Sequence, residues 1–347
     1  MSQYLRPNIR SMAGYTPGEQ PQGDGIVKLN TNENPYPPSP RVAEAIGELL
    51  RTDRLRKYPD PLGKAFRQTA GMLFGVDPDG ILIGNGSDDI LTILTRAFVP
   101  EGGLIVSPTP SYILYSTLAD LQGAKFEGVP FTKDWQLPTP WPKPNAHLTL
   151  VANPNSPIGT VVSNAALEAL ASELRGPLLV DEAYADFAEA NAIGLTRLAN
   201  VVVTRTLSKS YSLAGLRFGF AIGPPDLIRE LVKVKDSYNC DALSLAGAQA
   251  ALQDQDYLRE TRTKILATRS RLTFALISLG FEVLPSQANF VWAQRADRPV
   301  KPIFEELKQR KILVRYMNYQ GFGDGLRISV GSDAEIDQLL ETLEKMV

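Results

Sequence analysis

Cysteine and histidine are almost absent from this 347-residue chain, which has only Cys240 and His147. A single cysteine excludes an intrachain disulfide and a zinc site built on cysteine pairs. His147 lies beside a proline-rich segment, and we expect it to have no catalytic role even though histidine is the commonest acid or base in enzymes. No metal site is expected. The chemistry of the chain must therefore rest on other side chains.

The chain also lacks a large excess of positive or negative charge, and it lacks long apolar runs. The 36 basic and 38 acidic side chains give a net charge of -2, which supplies neither a basic field for nucleic acid nor a polybasic anchor for a membrane. No stretch approaches the roughly 18 apolar residues of a membrane span, and residues 1–8 lack the apolar core of a secretory signal. We therefore expect a cytoplasmic protein that acts on small molecules or binds protein partners.

The chain does contain an alternation of helical and strand patterns that predicts an α/β fold. Residues 1–40 are rich in Pro, Gly and Asn and predict an extended N-terminal arm. Residues 41–241 alternate amphipathic helices with short apolar strands, which predicts a large domain with a mostly parallel central sheet flanked by helices. Residues 242–347 predict a smaller α+β domain that opens with a long helical stretch over 242–279.

The segment RTLSKSYSLAGLR at residues 205–217 carries the most functional information. It follows an apolar run at 201–204 that is typical of a strand buried on both faces. Lys209 would then lie at the carboxyl end of a strand, where open α/β sheets bind ligands. A solvated loop lysine is the alternative, because charged lysine is seldom buried. The choice between a ligand-binding lysine and a solvated one depends on whether other segments supply groups that act with Lys209.

A second predicted strand, at 177–180, ends in Asp181 and Glu182. A buried strand that ends in an acid resembles the magnesium-binding strand of a nucleotide hydrolase. That interpretation requires a glycine-rich loop ending in Gly-Lys-Ser/Thr, whereas Gly63-Lys64 is followed by alanine. An acid at a strand end can instead pair with the protonated ring nitrogen of a pyridoxal cofactor.

The segment Gly84–Asp89 follows a predicted strand and opens a helix, so backbone N–H groups and the helix dipole could bind a phosphate there. It is a poor dinucleotide fingerprint, because Asp89 replaces the third glycine, and this disfavours a nicotinamide dehydrogenase. Helix capping by Ser87 or Asp88 is the structural alternative, and it is compatible with an anion site.

Two arginines and a polar turn complete the set of candidate groups. Arg217 and Arg327 are suited to bidentate recognition of an oxyanion, and Asn155 and Ser156 place hydrogen-bonding groups at the same sheet edge. A lysine, an acid, a phosphate site and carboxylate-binding arginines are together what pyridoxal phosphate (PLP) and an amino-acid substrate require.

These motifs resemble those of the fold-type I PLP-dependent aminotransferases, in particular the histidinol-phosphate aminotransferase branch, from about residue 8 to residue 331. The resemblance implies PLP as the cofactor, Lys209 as the Schiff-base lysine and Asp181 as the partner of the ring nitrogen. Further cofactor-binding residues that it implies are Gly86, Ser87, Asp88, Tyr112, Asn155, Tyr184, Thr206, Ser208 and Arg217. For the substrate it implies Arg327 at the carboxylate, together with Asn32 and Tyr15.

The resemblance also implies a homodimer. Lys57-Tyr58-Pro59 is similar to the Arg-Tyr-Pro motif of the family, so Tyr58 is expected to reach the cofactor phosphate of the neighbouring subunit, and the arm to pack against the small domain and the partner. One motif departs from the family, since Asn155-Ser156-Pro157-Ile158-Gly159 stands where Asn-Asn-Pro-Thr-Gly is usual. Either Asn155 or Ser156 then contacts the ring hydroxyl, and we favour Asn155.

The activity that the resemblance implies is transamination between histidinol phosphate and 2-oxoglutarate, which gives imidazole acetol phosphate and glutamate in histidine biosynthesis. We expect Arg327 alone to serve both half-reactions. An aromatic amino acid aminotransferase and a threonine-phosphate decarboxylase-like enzyme share almost every motif and stay open as alternatives. From another class, a non-catalytic nucleotide- or PLP-binding protein is possible, although no basic helix-turn-helix segment precedes the fold.

Overall fold

The computed structural model describes residues 3–14, 18–20, 23 and 25–346. The N-terminal segment forms a short helix, α1 (Pro7–Ser11), and a short strand, β1 (Val27–Lys28). Tyr15, which was expected to contact the substrate, lies outside the described residues. None of the helices in these ranges is long and apolar enough to cross a membrane.

A seven-stranded sheet forms the centre of the fold. Its strands are β2 (Ile81–Gly84), β3 (Leu104–Thr109), β4 (Lys125–Pro130), β5 (Leu148–Ala152), β6 (Leu178–Asp181), β7 (Val201–Thr206) and β8 (Gly219–Ile222). They lie in the order β2-β8-β7-β6-β5-β3-β4, and only the two pairings that involve β8 are antiparallel. The prediction of a mostly parallel sheet is confirmed.

Six helices cover the two faces of this sheet: α2 (Pro40–Leu50), α3 (Lys64–Phe74), α4 (Ser87–Phe98), α5 (Leu114–Gln122), α6 (Asn164–Glu173) and α7 (Pro225–Leu231). Successive strand residues point to opposite faces, so each strand contributes to two apolar cores. Val203 packs in the core formed with α2, α3 and α6, and its neighbour Val202 packs in the core formed with α4, α5 and α7. The continuous apolar runs of the central strands are explained by this double burial.

The C-terminal part contains α8 (Ala242–Gln253), α9 (Gln255–Ser278), β9 (Glu282–Val283), β10 (Phe290–Gln294), α10 (Lys301–Gln309), β11 (Ile312–Leu313), β12 (Arg315–Tyr319), β13 (Gly323–Ser329) and α11 (Asp333–Glu344). Four of the strands form an antiparallel sheet in the order β12-β13-β10-β9. β1 pairs in parallel with β11, which joins the arm to this part of the molecule.

The helical stretch predicted over 242–279 is two helices. Asp254 ends α8, and its carboxylate accepts a hydrogen bond from the backbone N–H of Tyr257 at the start of α9 (3.4 Å). α8 packs against α2 and α3, whereas α9 packs against α11 and the smaller sheet. The chain therefore passes from the larger sheet to the smaller one near Asp254. The domain division at residue 241 stays a prediction.

Candidate active site

The carboxyl ends of β5, β6 and β7 face a cavity of about 240 Å³. Its other walls include the start of α4, residues 111–113, β12 and β13 of the smaller sheet, and residues 30–32 of the arm. This is the edge of a parallel sheet at which ligands bind. Twelve of the residues singled out in the sequence line it: Asn32, Ser87, Asp88, Tyr112, Ser156, Asp181, Tyr184, Thr206, Ser208, Lys209, Arg217 and Arg327.

Lys209 lies on the loop that follows β7 and reaches into the cavity. Its Nζ donates a hydrogen bond to the carbonyl oxygen of Thr31 (3.0 Å) and lies 5.9 Å from the ring centroid of Tyr184. The next residue, Ser210, is held from two sides. Its hydroxyl donates to the Asp186 carboxylate, and its carbonyl accepts from the Asn34 amide (3.0 Å). The lysine is thus carried on a loop that is fixed by hydrogen bonds.

Asp181 ends β6 and is buried at the cavity wall. Its Oδ2 accepts a hydrogen bond from the Tyr115 hydroxyl (2.8 Å), and its Oδ1 accepts one from the Thr204 hydroxyl (3.2 Å). Burial raises the pKa of Asp181, and the hydrogen bonds from Tyr115 and Thr204 act against that rise. A buried carboxylate at a cavity wall suits a cationic partner such as a protonated ring nitrogen.

Tyr115 was not identified in the sequence. It lies in the first turn of α5 and is fully buried. Burial and the adjacent Asp181 carboxylate raise its pKa well above the usual value, so the hydroxyl is neutral and can donate. Its ring meets that of Tyr112 edge to face, with centroids 5.6 Å apart. No local motif marks it, because its partner Asp181 lies 66 residues further along the chain.

The N-terminus of α4 forms a cup for an anion. Gly86 occupies the N-cap position with φ 81°, so no side chain caps the first turn of the helix. The structural alternative, a cap by Ser87 or Asp88, is not what is found. The first backbone N–H groups of a helix are not bonded within the helix and attract anions together with the helix dipole.

Arg217 closes this cup from the other side. Its guanidinium lies 3.4 Å from the Ser208 hydroxyl and 3.3 Å from a carboxylate oxygen of Asp88. Two glycines make the close approach possible. A Cβ on Gly86 would lie 2.6 Å from Nη2 of Arg217, and one on Gly219 would lie 2.6 Å from the backbone nitrogen of Ser87. Thr206 and Ser208 add hydroxyls to the same wall.

A second arginine lies beside Arg327 on the neighbouring strand of the smaller sheet. Arg315 on β12 is the register partner of Arg327 on β13, and both side chains line the cavity. Nη1 of Arg327 donates to the Ser156 hydroxyl (3.2 Å), and Nη2 donates to the Asn30 carbonyl (3.0 Å). The sequence interpretation had assigned both substrate anions to Arg327 alone, because Arg315 becomes its neighbour only through the strand register.

Alternate residues of β12 point the same way, so Met317 and Tyr319 line the cavity beside Arg315. Burial raises the pKa of Tyr319 to about 12, although the nearby Arg327 and Arg315 act in the opposite direction. The Tyr319 hydroxyl is therefore neutral near pH 7. This wall combines two permanent cations with an apolar thioether and an aromatic ring.

The arm contributes Asn32 to the site. Its amide donates to the Tyr184 hydroxyl (2.9 Å), its Oδ1 accepts from the Ser329 hydroxyl (3.0 Å), and its backbone N–H donates to the same hydroxyl (2.8 Å). Asn32 has a left-handed backbone (φ 56°), which asparagine tolerates better than most residues. The arm thus connects Tyr184 of the larger sheet to β13 of the smaller one.

Apart from Gly86, which forms the cup, two expected residues within the described ranges do not line the cavity. The Asn155 amide donates to the Pro110 carbonyl (3.1 Å), and its oxygen accepts from the Ile158 N–H (3.3 Å). Both groups of the Asn155 amide are thus bonded to the backbone, one at Pro110 and one within its own turn, and Ser156 faces the cavity instead. Tyr58 is 80% exposed and stacks on Tyr238, with ring centroids 4.4 Å apart.

Comparisons with known proteins cover nearly the whole chain. The profile of the family described as "Aminotransferase class I and II" matches residues 24–343. The histidinol-phosphate aminotransferase of Rhodopirellula baltica is 50% identical over 344 residues, which cover 98% of this chain and 95% of that protein. Histidinol-phosphate aminotransferase 1 of Trichormus variabilis is 44% identical over 350 residues and 100% of both chains. The crystal structure of histidinol-phosphate aminotransferase from Sinorhizobium meliloti in complex with pyridoxal-5'-phosphate aligns with a TM-score of 0.88 and 26% identity, over 100% of this chain and 99% of that one.

Proposed function

This chain belongs to the class I and II aminotransferases, and on that premise we propose that it transfers the amino group of histidinol phosphate to 2-oxoglutarate. The products are imidazole acetol phosphate and glutamate, and the reaction belongs to histidine biosynthesis. The observation that carries the proposal is one cavity that holds Lys209 and Asp181 together with the Arg315 and Arg327 pair. Lys209 and Asp181 supply the chemistry. The two arginines select an anionic substrate.

The cofactor of this family is PLP, and the donors of the cavity fit it. The cup at Gly86 has no side-chain cap on its first turn and faces Arg217, which suits a phosphate. Asp181 suits a protonated ring nitrogen. The buried Ser111 hydroxyl on the cavity wall has no hydrogen-bond partner among the described residues, so it can bond to a ligand. When bound, PLP supplies an electron sink for negative charge at the substrate carbon.

We assign the reacting amine to Lys209. Its Nζ would hold PLP, and in the reaction it would remove and return the proton on the amino-bearing carbon of the substrate. The Thr31 carbonyl, 3.0 Å from Nζ, holds the amine at the cavity wall. Asp181 balances the positive charge of the ring nitrogen. Tyr184, which lies next to Lys209, is assigned to the ring hydroxyl.

The cavity has two anion sites on opposite walls. One is assigned to the cofactor and the other to the substrate. Ser87, Thr206, Ser208 and Arg217 are assigned to the phosphate of PLP. Arg315 and Arg327 are assigned to the phosphate of histidinol phosphate in one half-reaction and to a carboxylate of glutamate in the other. Two guanidinium groups match the double negative charge of a phosphate monoester better than one does.

The dimer is part of the proposal. An exposed tyrosine pair, Tyr58 and Tyr238, together with the exposed side chain of Leu55, supports an interface at this surface. Tyr58 is proposed to reach the cofactor phosphate in the partner subunit, and the arm to pack against that subunit as well. The cytoplasmic location stays a prediction of the sequence.

The proposed substrate is tested by offering the PLP-loaded protein histidinol phosphate, histidinol, phenylalanine or tyrosine with 2-oxoglutarate and measuring glutamate. We expect histidinol phosphate to give the highest kcat/KM. Histidinol should be about tenfold to hundredfold poorer, because it lacks the group that makes charge-assisted hydrogen bonds. Lys209→Ala should give no turnover. A preference for phenylalanine or tyrosine would refute the substrate while leaving the family intact.

A further inference from the structure

Asp181 is contacted by two hydroxyls from the side away from the cavity. Tyr115 donates to Oδ2 at 2.8 Å and Thr204 to Oδ1 at 3.2 Å. We propose that Tyr115 is a positioning residue, whose hydroxyl holds the Asp181 carboxylate ionised and turned towards the cofactor ring. The inference rests on the proposed function, since it concerns the acid assigned there to the ring nitrogen of PLP.

Burial makes this hydroxyl important. Asp181 lies in a low-dielectric surrounding that disfavours its charged form, and hydrogen bonds donated to the carboxylate favour that form. Tyr115 cannot readily lose its own proton, because burial and the adjacent carboxylate raise its pKa. It therefore acts as a fixed donor to Asp181 over the whole working pH range.

Tyr115 also touches a second group of the site. Its ring lies edge to face against Tyr112 at 5.6 Å and 81°, and Tyr112 is one of the cofactor-binding residues that the family resemblance implies. Phenylalanine at position 115 keeps this ring contact and removes only the oxygen. Tyr115→Phe therefore separates the effect on Asp181 from the effect on Tyr112.

The test is a double-mutant cycle on PLP binding. The apoenzyme, Tyr115→Phe, Asp181→Asn and the double variant are titrated with PLP, and each Kd is measured by absorbance or fluorescence. We expect Tyr115→Phe to raise Kd about tenfold in the native background. In the Asp181→Asn background it should change Kd less than about twofold, because the carboxylate that it serves is gone.

A second readout is the pH dependence of Kd. Without the Tyr115 hydroxyl the pKa of Asp181 is higher, so the acid is protonated at a higher pH. PLP affinity should then begin to fall at a higher pH in Tyr115→Phe than in the native chain. Tyr257→Phe is the matched control, because the Tyr257 hydroxyl also donates a 2.8 Å hydrogen bond, to the Pro37 carbonyl outside the cavity. It should leave both measurements unchanged.

The outcomes are distinct. An equal loss of affinity in both backgrounds would mean that the hydroxyl acts through packing, and the inference would be overturned. Thr204→Val removes the other hydroxyl donor, leaves the backbone N–H of Ala183, and should shift the pH profile in the same direction. If Asp181→Asn itself left Kd unchanged, the assignment of Asp181 in the proposed function would fail first. Retained circular dichroism spectra show that the variants fold.

Discussion

Gly86→Ala should weaken the binding of PLP about tenfold to hundredfold. Gly86 has φ 81° and ψ 168°, a backbone conformation that is nearly confined to glycine and costs other residues about 1–3 kcal/mol. The added Cβ would also lie 2.6 Å from Nη2 of Arg217. The arginine must then move away from the cup, and the loss of one charge-assisted hydrogen bond to a phosphate is worth about 1.5–3 kcal/mol.

Gly75→Ala provides the matched control. Gly75 also has a positive φ (66°), at the end of α3, but an added Cβ would meet nothing within 4 Å. Its replacement should cost about 1–2 kcal/mol of stability through backbone strain and leave PLP binding unchanged. Urea unfolding of the apoenzyme measures the strain in both variants, and titration with PLP measures the affinity.

The contrast between the two glycines can refute the reasoning. If Gly86→Ala bound PLP within twofold of the native chain, Arg217 would not depend on the space that Gly86 leaves. If Gly75→Ala weakened binding equally, backbone strain rather than the displaced guanidinium would be the cause.

Further predictions concern the substrate, the core and the cysteine. Arg315→Met should raise KM for histidinol phosphate about tenfold to hundredfold with a smaller change in kcat, measured in steady-state assays, and an unchanged KM would remove Arg315 from the substrate site. Arg205 is buried between Glu182 and Asp186. Arg205→Met should therefore lower the free energy of unfolding by about 3–5 kcal/mol. Glu182→Gln should lower it less, because Arg205 and Asp186 stay paired. Urea unfolding measures both, and an equal loss in the two variants would contradict this expectation. Burial raises the pKa of Cys240 to about 12, so a thiol reagent at pH 8 should label it only slowly until the chain is unfolded, and fast labelling of the native protein would show an accessible thiol.

The central strands could be predicted because each is an apolar run that is buried on both faces. β4 was missed for the opposite reason. It is an edge strand with only Val129 fully buried, and it contains Gly128 and Pro130. α11 was also missed, although its capping box between Ser332 and Glu335 is a readable signal. Strands that are buried on both faces are thus easier to recognise than a strand with one buried residue.

The candidate site divides in a similar way. Lys209, Asp181 and Arg217 could be found because each lies in or near a local motif at the end of a strand. Tyr115 and Arg315 could not, because they gain their partners from distant segments, one from the end of β6 and the other from the register of β12 and β13. Local motifs indicate the cofactor, whereas tertiary pairing determines what surrounds it.

The position of the arm has a consequence for synthesis of the chain. Asn32 bonds to Ser329, and the Asn30 carbonyl accepts from Arg327, in each case across 297 residues. During translation, residues 27–32 therefore leave the ribosome long before β11 and β13 exist to receive them. Residues 27–32 can therefore complete the cavity wall only after β11 and β13 have been synthesised. A ribosome-bound chain that stops before β11 should therefore lack the substrate site of Arg315 and Arg327, even with the central sheet fully synthesised.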